Sequence, residues 1–489
     1  MKSPRLRCPL ALAAFAGARI VLAAISAGAV CAAEPGEGLR PRGDAGYRYR
    51  ELRPAEADSI GVLAPGGVVV TSVIPGSAAD VAGLATGDLI RSYGLSLIGD
   101  GASLKSAARR YRAGDTVRVS LLRDGAALQL DLVARARPLF SGPGVDLEVT
   151  YFPAADGTRL RAVLASPEGR AGARLPALVV AAGQATPAPV GGAPGDRTSV
   201  SLASHWLGSG WSAEPGTEAA MAGAPAAVDP GGIAETPLAP TLAALERRLA
   251  EEVAEVAARA GIRVLRFDPR GTGESEGLER PQVDFTTEVD DLRQAITFLR
   301  RRTDVDPAAV FIWGHADCAI EAALLAASED LAGIAVSSAC GRSELEHRAA
   351  IARRQGELQG HSPAEIETQV RDEVTLLAAI ASGATPDELR ARPDLGRMVN
   401  PAGRVLEDRT VGYWRQRLMV NVGEVYAAVR EPALVVHTAA DPYSFRVDHE
   451  EIGRILAASG NRSVTIAELA PAAVPGALVR WMRGLLPGT

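Results

Sequence analysis

The sequence predicts an α/β protein of two domains, a small glycine-punctuated β-rich module followed by a larger, doubly wound and mostly parallel sheet. Three observations lead there. At 489 residues the chain exceeds one ordinary domain, and a composition 47% hydrophobic and 22% charged supplies enough apolar side chains for packed cores. Residues 59–138 alternate short runs of β-branched residues with Gly and Pro turns. Beyond Gly142, continuous apolar strands alternate with amphipathic helices, the pattern of a buried parallel sheet covered on both faces.

The N-terminus carries Lys2, Arg5 and Arg7, then an Ala-, Leu-, Val- and Ile-rich run from Pro9 to Val30 that ends in Cys31-Ala32-Ala33. That order is expected of a cleaved secretory signal over residues 1–33, with a linker over 34–58. Arg19 interrupts the run and leaves about 11 apolar residues, short of the roughly 20 a span requires, so no stable membrane span is expected after cleavage. Val30 is large for the position before a lipidated cysteine, which disfavours anchoring at Cys31. A periplasmic or secreted location follows. Net charge is −6 without a long basic run, which removes the electrostatic footprint of a nucleic-acid partner. No His/Cys cluster has metal-site spacing, and no cofactor motif appears.

In the first domain, Gly67 to Val73 reads as a strand, Pro75-Gly76-Ser77 as a turn, and Ala78 to Leu84 as a short helix. Gly87-Asp88-Leu89-Ile90 enters the next strand, Leu104 to Tyr111 is a helix with Ser103 as its cap, and Arg123-Asp124-Gly125 turns a hairpin. The string GVVVTSVIPGSAADVAGLATGDLI, followed by RAGDTVRVSLLRDG, resembles bacterial PDZ domains appended to exported proteases, over roughly eighty residues. That resemblance implies a small β-sandwich/α module over 59–138 that binds a peptide or protein C-terminus by strand addition. It implies a binding loop Ser59-Ile60-Gly61-Val62 and a groove lined by the helix from Leu104 to Ala108. A module that only packs against its neighbour is the alternative.

In the second domain, Leu147 to Phe152 and Arg159 to Leu164 form a hairpin around Ala155-Asp156-Gly157; Ala177 to Ala182 is a buried strand, Thr241 to Ala260 a helix, and Arg263 to Phe267 a strand. Residues 185–240 are dense in Gly, Ala, Pro, Ser and Thr and read as a long loop carrying Trp206 and Trp211. Thr286 to Arg302 is an amphipathic helix, and Val310 to Ala319 reads as strand, sharp turn and helix start. Asp268-Pro269-Arg270-Gly271-Thr272-Gly273-Glu274-Ser275 resembles the D-x-R-G-x-G-x-S loop of α/β-hydrolases, and Gly314-His315-Ala316-Asp317-Cys318 resembles their G-x-S-x-G nucleophile elbow. The resemblance covers residues 143–489 and is nearest the exported esterase-like and serine-aminopeptidase-like branch. It implies a doubly wound, mostly parallel α/β-hydrolase sheet with a helical cap over 341–430.

The same resemblance places alanine, Ala316, where the nucleophile belongs, and alanine cannot form an acyl-enzyme. Asp441 holds the acid position after the strand Ala433 to His437, while the loop after Ser463 to Leu469 lacks a histidine. The oxyanion amides fall near Asp317 and Gly183-Gln184, and an anionic Asp317 would oppose a developing negative charge. Moving the nucleophile to Asp317 or Cys318 would put His315 or Ile320 at positions that require small residues. Of the other histidines, His437 reads as packing, His449 as a surface residue on a helix, and His347 and His361 as cap residues. Export leaves Cys318 and Cys340 at neighbouring strand ends, where a disulfide is expected if their Cα atoms lie within about 7 Å. The reading is a catalytically degenerate α/β-hydrolase homologue of the envelope with a peptide-binding PDZ domain and a vestigial pocket open to a small ligand. An active ester or peptide hydrolase with unconventional residues, and a purely structural envelope protein, are the alternatives.

Overall fold

The computed structural model of the chain describes residues 41, 43–52, 66–136, 142–170, 172–182, 242–438, 441 and 443–487. The expected signal segment, the proposed binding loop 59–62, Gly183, Gln184 and the long loop with both its tryptophans lie outside the described residues. The described residues all fall in one compact unit. No described helix is long and apolar enough to cross a membrane.

The first domain begins earlier than expected. Gly43–Asp44 (β1) and Tyr47–Glu51 (β2) precede Val68–Val73 (β3), Ala78–Val81 (α1), Leu89–Tyr93 (β4), Ser96–Leu97 (β5) and Gly101–Ala108 (α2). Thr116–Arg123 (β6), Ala126–Val133 (β7) and Arg135–Ala136 (β8) complete it. The antiparallel sheet runs β2-β3-β4-β6-β7, with β5 on β4 and a separate β1-β8 pair. Residues taken as linker therefore supply its edge strand. The β6–β7 turn is Asp124-Gly125, with φ of 51° and 78°, the left-handed pair that a two-residue hairpin requires. The helix α2 is capped by Asp100; Ser103, expected as the cap, is the third residue of a reciprocal capping box with it. Leu104 is only 2% exposed and packs with Val70, Ile90 and Leu121 in the core, so it does not line a surface groove as expected.

In the second domain Val145–Pro153 (β9) and Arg159–Pro167 (β10) form the hairpin, followed by Leu175–Ala181 (β11), Leu242–Arg259 (α3), Arg263–Phe267 (β12) and Phe285–Arg301 (α4). Val305–His315 (β13), Cys318–Ala326 (α5) and Gly333–Ser337 (β14) lead into the cap helices Glu344–Gln359 (α6), Pro363–Ala381 (α7), Pro386–Ala391 (α8), Val411–Leu418 (α9) and Val422–Ala428 (α10). Ala433–His437 (β15), Arg446–Ala458 (α11), Val464–Glu468 (β16) and Val474–Leu485 (α12) close the chain. The eight-stranded sheet runs β16-β15-β14-β13-β11-β12-β10-β9. Its strands from β11 to β16 are parallel to one another, while β10 pairs antiparallel with both β12 and β9.

Alternation along each strand divides the core. Ala177, Val179, Val310, Ile312 and Val435 point to the face covered by α4 and α5, while Leu178, Val180, Phe311, Trp313 and Leu434 point to α3 and α12. The first core continues into the cap through Leu376, Leu377, Ile380, Tyr413 and Trp414. The cap is thus packed as part of the domain.

The loop after β12 is fixed by charge. Arg270 makes bidentate hydrogen bonds to Asp291 at 2.7 and 2.8 Å and to Asp156 at 2.5 and 3.1 Å, tying the loop to α4 and to the β9–β10 turn. The Arg270 and Asp291 side chains are 8% and 4% exposed, so removing Asp291 leaves the buried guanidinium with only the more exposed Asp156 among its carboxylate partners. The Asp291→Ala variant is expected to lose about 3 kcal/mol of stability, read from urea unfolding midpoints at constant m.

Candidate functional site

The turn from β13 to α5 is built by contact. A Cβ on Gly314 would lie 2.6 Å from the Cys318 carbonyl oxygen and 2.7 Å from Ala322 Cβ, so only glycine lets α5 pack back on the strand. Two residues on, Ala316 has φ +53°, the left-handed backbone that turns the apex outward. The Ala316 N–H donates to Ser337 O at 2.9 Å on the neighbouring strand, and its carbonyl accepts from Ala319 N at 3.0 Å. The apex is thus residue 316. Asp317 has right-handed backbone and starts α5 without capping it.

Asp441 stands after β15, 4% exposed, and each of its carboxylate oxygens accepts a hydrogen bond. The Ser338 hydroxyl donates to its Oδ2, Tyr443 N donates to Oδ1 at 2.8 Å, and Thr438 Oγ1 lies 3.1 Å from Ser338 Oγ. Ser338 is itself left-handed, at φ +51°. After β16 the chain turns through Pro471–Ala473 into α12.

Among the described residues, no histidine bonds Asp441. His315 Nδ1 meets Ser337 Oγ at 2.9 Å, a hydroxyl that also accepts from Trp313 Nε1 at 3.0 Å, and burial holds the ring below its usual pKa. His437 Nδ1 contacts Ser444 Oγ at 3.0 Å, and His347 Nδ1 contacts Asp448 at 3.0 Å. His449, expected on the surface, is 1% exposed. Its Nδ1–H donates to Phe445 O at 2.8 Å and its Nε2 accepts from Ala339 N at 3.2 Å, which joins α11 to the loop after β14. Its helix faces the sheet at that position, which helical spacing alone did not reveal.

Asp317 has a partner that the sequence did not mark. Arg417 of α9 places Nη2 3.2 Å from Asp317 Oδ1 and Nε 2.9 Å from Glu344, stapling the cap to the elbow. Burial alone would raise the Asp317 carboxyl, but Arg417, Arg348 and Arg280 hold it below the usual range. It sits in a recess that solvent still reaches, 44% exposed, and keeps its negative charge. Glu246 of α3 is pushed up to about 8 by burial and by the charges of Asp441 and Asp317, which favours its neutral form at pH 7. Glu321 of α5 is likewise pushed up to about 8 by burial and Glu288. No local pattern flags Glu246, Glu321 or Arg417, because the groups they act on, Asp441 and Asp317, Glu288, and Asp317 and Glu344, lie on other elements.

Cys318 and Cys340 are free, buried thiols, and the expected disulfide does not form. Cys340 Sγ is directed at the carbonyl oxygens of Arg342, at 3.1 Å, and Ser343, while Cys318 packs in the core of α5. Cys340, His347 and Asp448 gather their ligand-type atoms within 4.8 Å. Asp448 is already saturated, however, by Arg342 Nε and Nη2 at 2.8 and 3.0 Å and by the Gly341 and Arg342 amides. A cation there would have to displace a guanidinium, so the group is an ion-pair network, not a metal cradle. A cleft of about 610 Å³ lies between α6, α7 and the start of α11, lined in part by Arg342, His437, Ser444 and Phe445. Ala316, Asp317 and Asp441 are not among its lining residues.

Residues 43–133 match the family model of the PDZ domain, and residues 246–469 match that of serine aminopeptidase, S33. A thiohydrolase of Aspergillus aculeatus is 49% identical over 61 residues, 12% of this chain and 19% of that protein. A polyketide transferase of Penicillium crustosum is 29% identical over 136 residues, 25% of this chain and 44% of that one. The chain therefore spans less than half the length of either relative. The esterase Est1E of Butyrivibrio proteoclasticus, solved with ferulic acid, is 14% identical, with 69% of this chain and 98% of that chain covered and a TM-score of 0.40. At that level the likeness adds nothing to what the sheet order already shows.

Burial lowers the His449 pKa to about 4, so the ring is neutral when folded and protonates more easily when unfolded. Its contribution is fully present above about 6.5 and is lost as pH falls from there toward 4. Between pH 7 and pH 5 this one ring is expected to remove about 2 kcal/mol of stability. His449→Gln is expected to flatten that part of the slope in urea unfolding at the two pH values, leaving the same-sign effects of His315 and His437.

Proposed function

Because this chain joins a PDZ domain to an α/β-hydrolase domain of the serine-aminopeptidase S33 type, we propose that it is an exported binding protein on a hydrolase scaffold that no longer carries out acyl transfer. The observation that carries the reading is that the site offers neither a nucleophile at residue 316 nor, among the described residues, a histidine bonded to Asp441. The strained apex presents the methyl group of Ala316, and the carboxylate that would orient a base is held by Ser338 and Tyr443 N. Restoring either group leaves the other missing. An acyl transfer centre needs nucleophile, base and orienting acid together.

The PDZ domain supplies the remaining function, capture of partner polypeptide by strand addition, the mode in which such domains hold peptide C-termini. The edge strand β2 and the helix α2 flank the place where an added strand would lie; Tyr49 Oη donates to Gly101 O at 3.3 Å between them. The cell envelope is the proposed compartment, on the basis of the basic and then apolar leader ending at Ala32-Ala33. Cell fractionation and N-terminal sequencing test it; a mature protein that starts at Ala33 or Glu34 is the expected outcome.

The purified full chain is expected to show no turnover of p-nitrophenyl acetate or butyrate and no labelling by a fluorophosphonate. Ala316→Ser alone is expected to stay within about tenfold of background, since a serine without a base is a weak nucleophile. Turnover by the wild-type chain that disappears in Asp441→Ala or Asp317→Ala would reverse the non-catalytic reading.

A further inference from the structure

We infer that the free edge of β16 docks a second copy of this chain, strand against strand and antiparallel, about a twofold axis through Thr465. Among the described residues β16 pairs only with β15, so its other side is open. Ser463 O accepts from Ala433 N at 2.8 Å, and Leu469 N donates to His437 O at 2.9 Å. By alternation the odd-numbered residues of this stretch bond β15, and the N–H and C=O groups of Val464, Ile466 and Glu468 point away from the sheet.

The strand lacks the usual devices that keep an edge from pairing. Val464-Thr465-Ile466-Ala467-Glu468 has no proline, no lysine and no register break against β15, and its one charge stands at its end. Ile466 is 52% exposed. A Cβ on Gly453 would lie 2.2 Å from Ile466 Cδ1, so the side chain lies on the α11 face of the sheet, where Val464 shares its parity. The opposite edge of the same sheet is built differently, since β9 carries the exposed carboxylates of Asp146 and Glu148 within its run.

The edge is complementary to itself in one register. An axis through Thr465 sets Val464 opposite Ile466 of the second copy, and both face outward, so each such pair exchanges its two backbone hydrogen bonds. The same axis sets Arg462 opposite Glu468. Arg462 is exposed and makes no ion pair or hydrogen bond among the described residues, while Glu468 accepts from Arg446 through Oε2. Arg462 of the second copy supplies the partner for Oε1, once at each end of the ladder. An axis through Ile466 would set Arg462 opposite Ala470 and Glu468 opposite Val464, which forfeits both charge pairs. Charge therefore fixes the register, and the apolar Val464–Ile466 pairs fill its centre.

Sedimentation velocity of the purified full chain over about a hundredfold range of concentration tests this, with a monomer–dimer equilibrium expected. Ile466→Lys, with an unchanged thermal midpoint, is expected to weaken the dimer about tenfold or more. Arg462→Glu and Glu468→Arg each set like charges opposite one another and are expected to weaken self-association about tenfold. An equimolar mixture of those two variants restores both charge pairs and is expected to dimerise within about twofold of wild type. Thr465→Cys, which the axis sets opposite itself, is expected to give a disulfide-linked dimer on mild oxidation, while Ala467→Cys, set opposite Ser463, stays unlinked. A wild-type chain that remains monomeric over the whole range overturns the inference. A dimer that survives Ile466→Lys and both charge variants overturns it too, because the copies then meet on another surface.

Discussion

The close approach of α5 to β13 at Gly314 is the constraint on which the second domain depends. With that helix seated on that strand, the chain has to reverse within two residues, and the residue at the apex takes left-handed backbone whatever its side chain. For an alanine this costs about 1–2 kcal/mol. In an active hydrolase such strain aims a nucleophile. Here it carries the methyl group of Ala316, and relaxing it would pull Ala319 and Ala322 of α5 away from Ile312 in the core. The strain at Ala316 is therefore held by packing and is no evidence of chemistry.

The polar groups around the apex have been drawn into structural work. Asp441 braces Ser338 and its own loop, Asp317 anchors the cap through Arg417, and His449 ties α11 to the loop after β14. Each is tied to a neighbour by at least one hydrogen bond or ion pair. Glu246 and Glu321 are left neutral by burial, which spares the core two further negative charges near Asp441, Asp317 and Glu288.

The features legible in the sequence were those set by local rules. The β6–β7 turn followed from Asp124-Gly125, and the strand–turn–helix of the elbow from Gly314 and the apolar run before it. The edge strand was missed although Tyr47-Arg48-Tyr49-Arg50 alternates with period two, because it is short and stands apart from the glycine-rich pattern that follows. Leu104 was placed on a groove and proved to be core, since a helix presents an apolar residue to whichever neighbour covers it. The free thiols of Cys318 and Cys340 show that adjacent strand ends do not settle where side chains point.

By itself the sequence determined the two-domain plan, the parallel sheet and the absence of a nucleophile at residue 316, because periodicity, turn chemistry and residue identity are local properties. Only the tertiary structure decided what the surviving polar residues do. Partnerships such as Arg417 with Asp317, Ser338 with Asp441 and Arg270 with Asp291 join residues 21 to 103 positions apart. The energy of such a pair depends on burial and on distances of about 3 Å, and neither exists until the elements have packed.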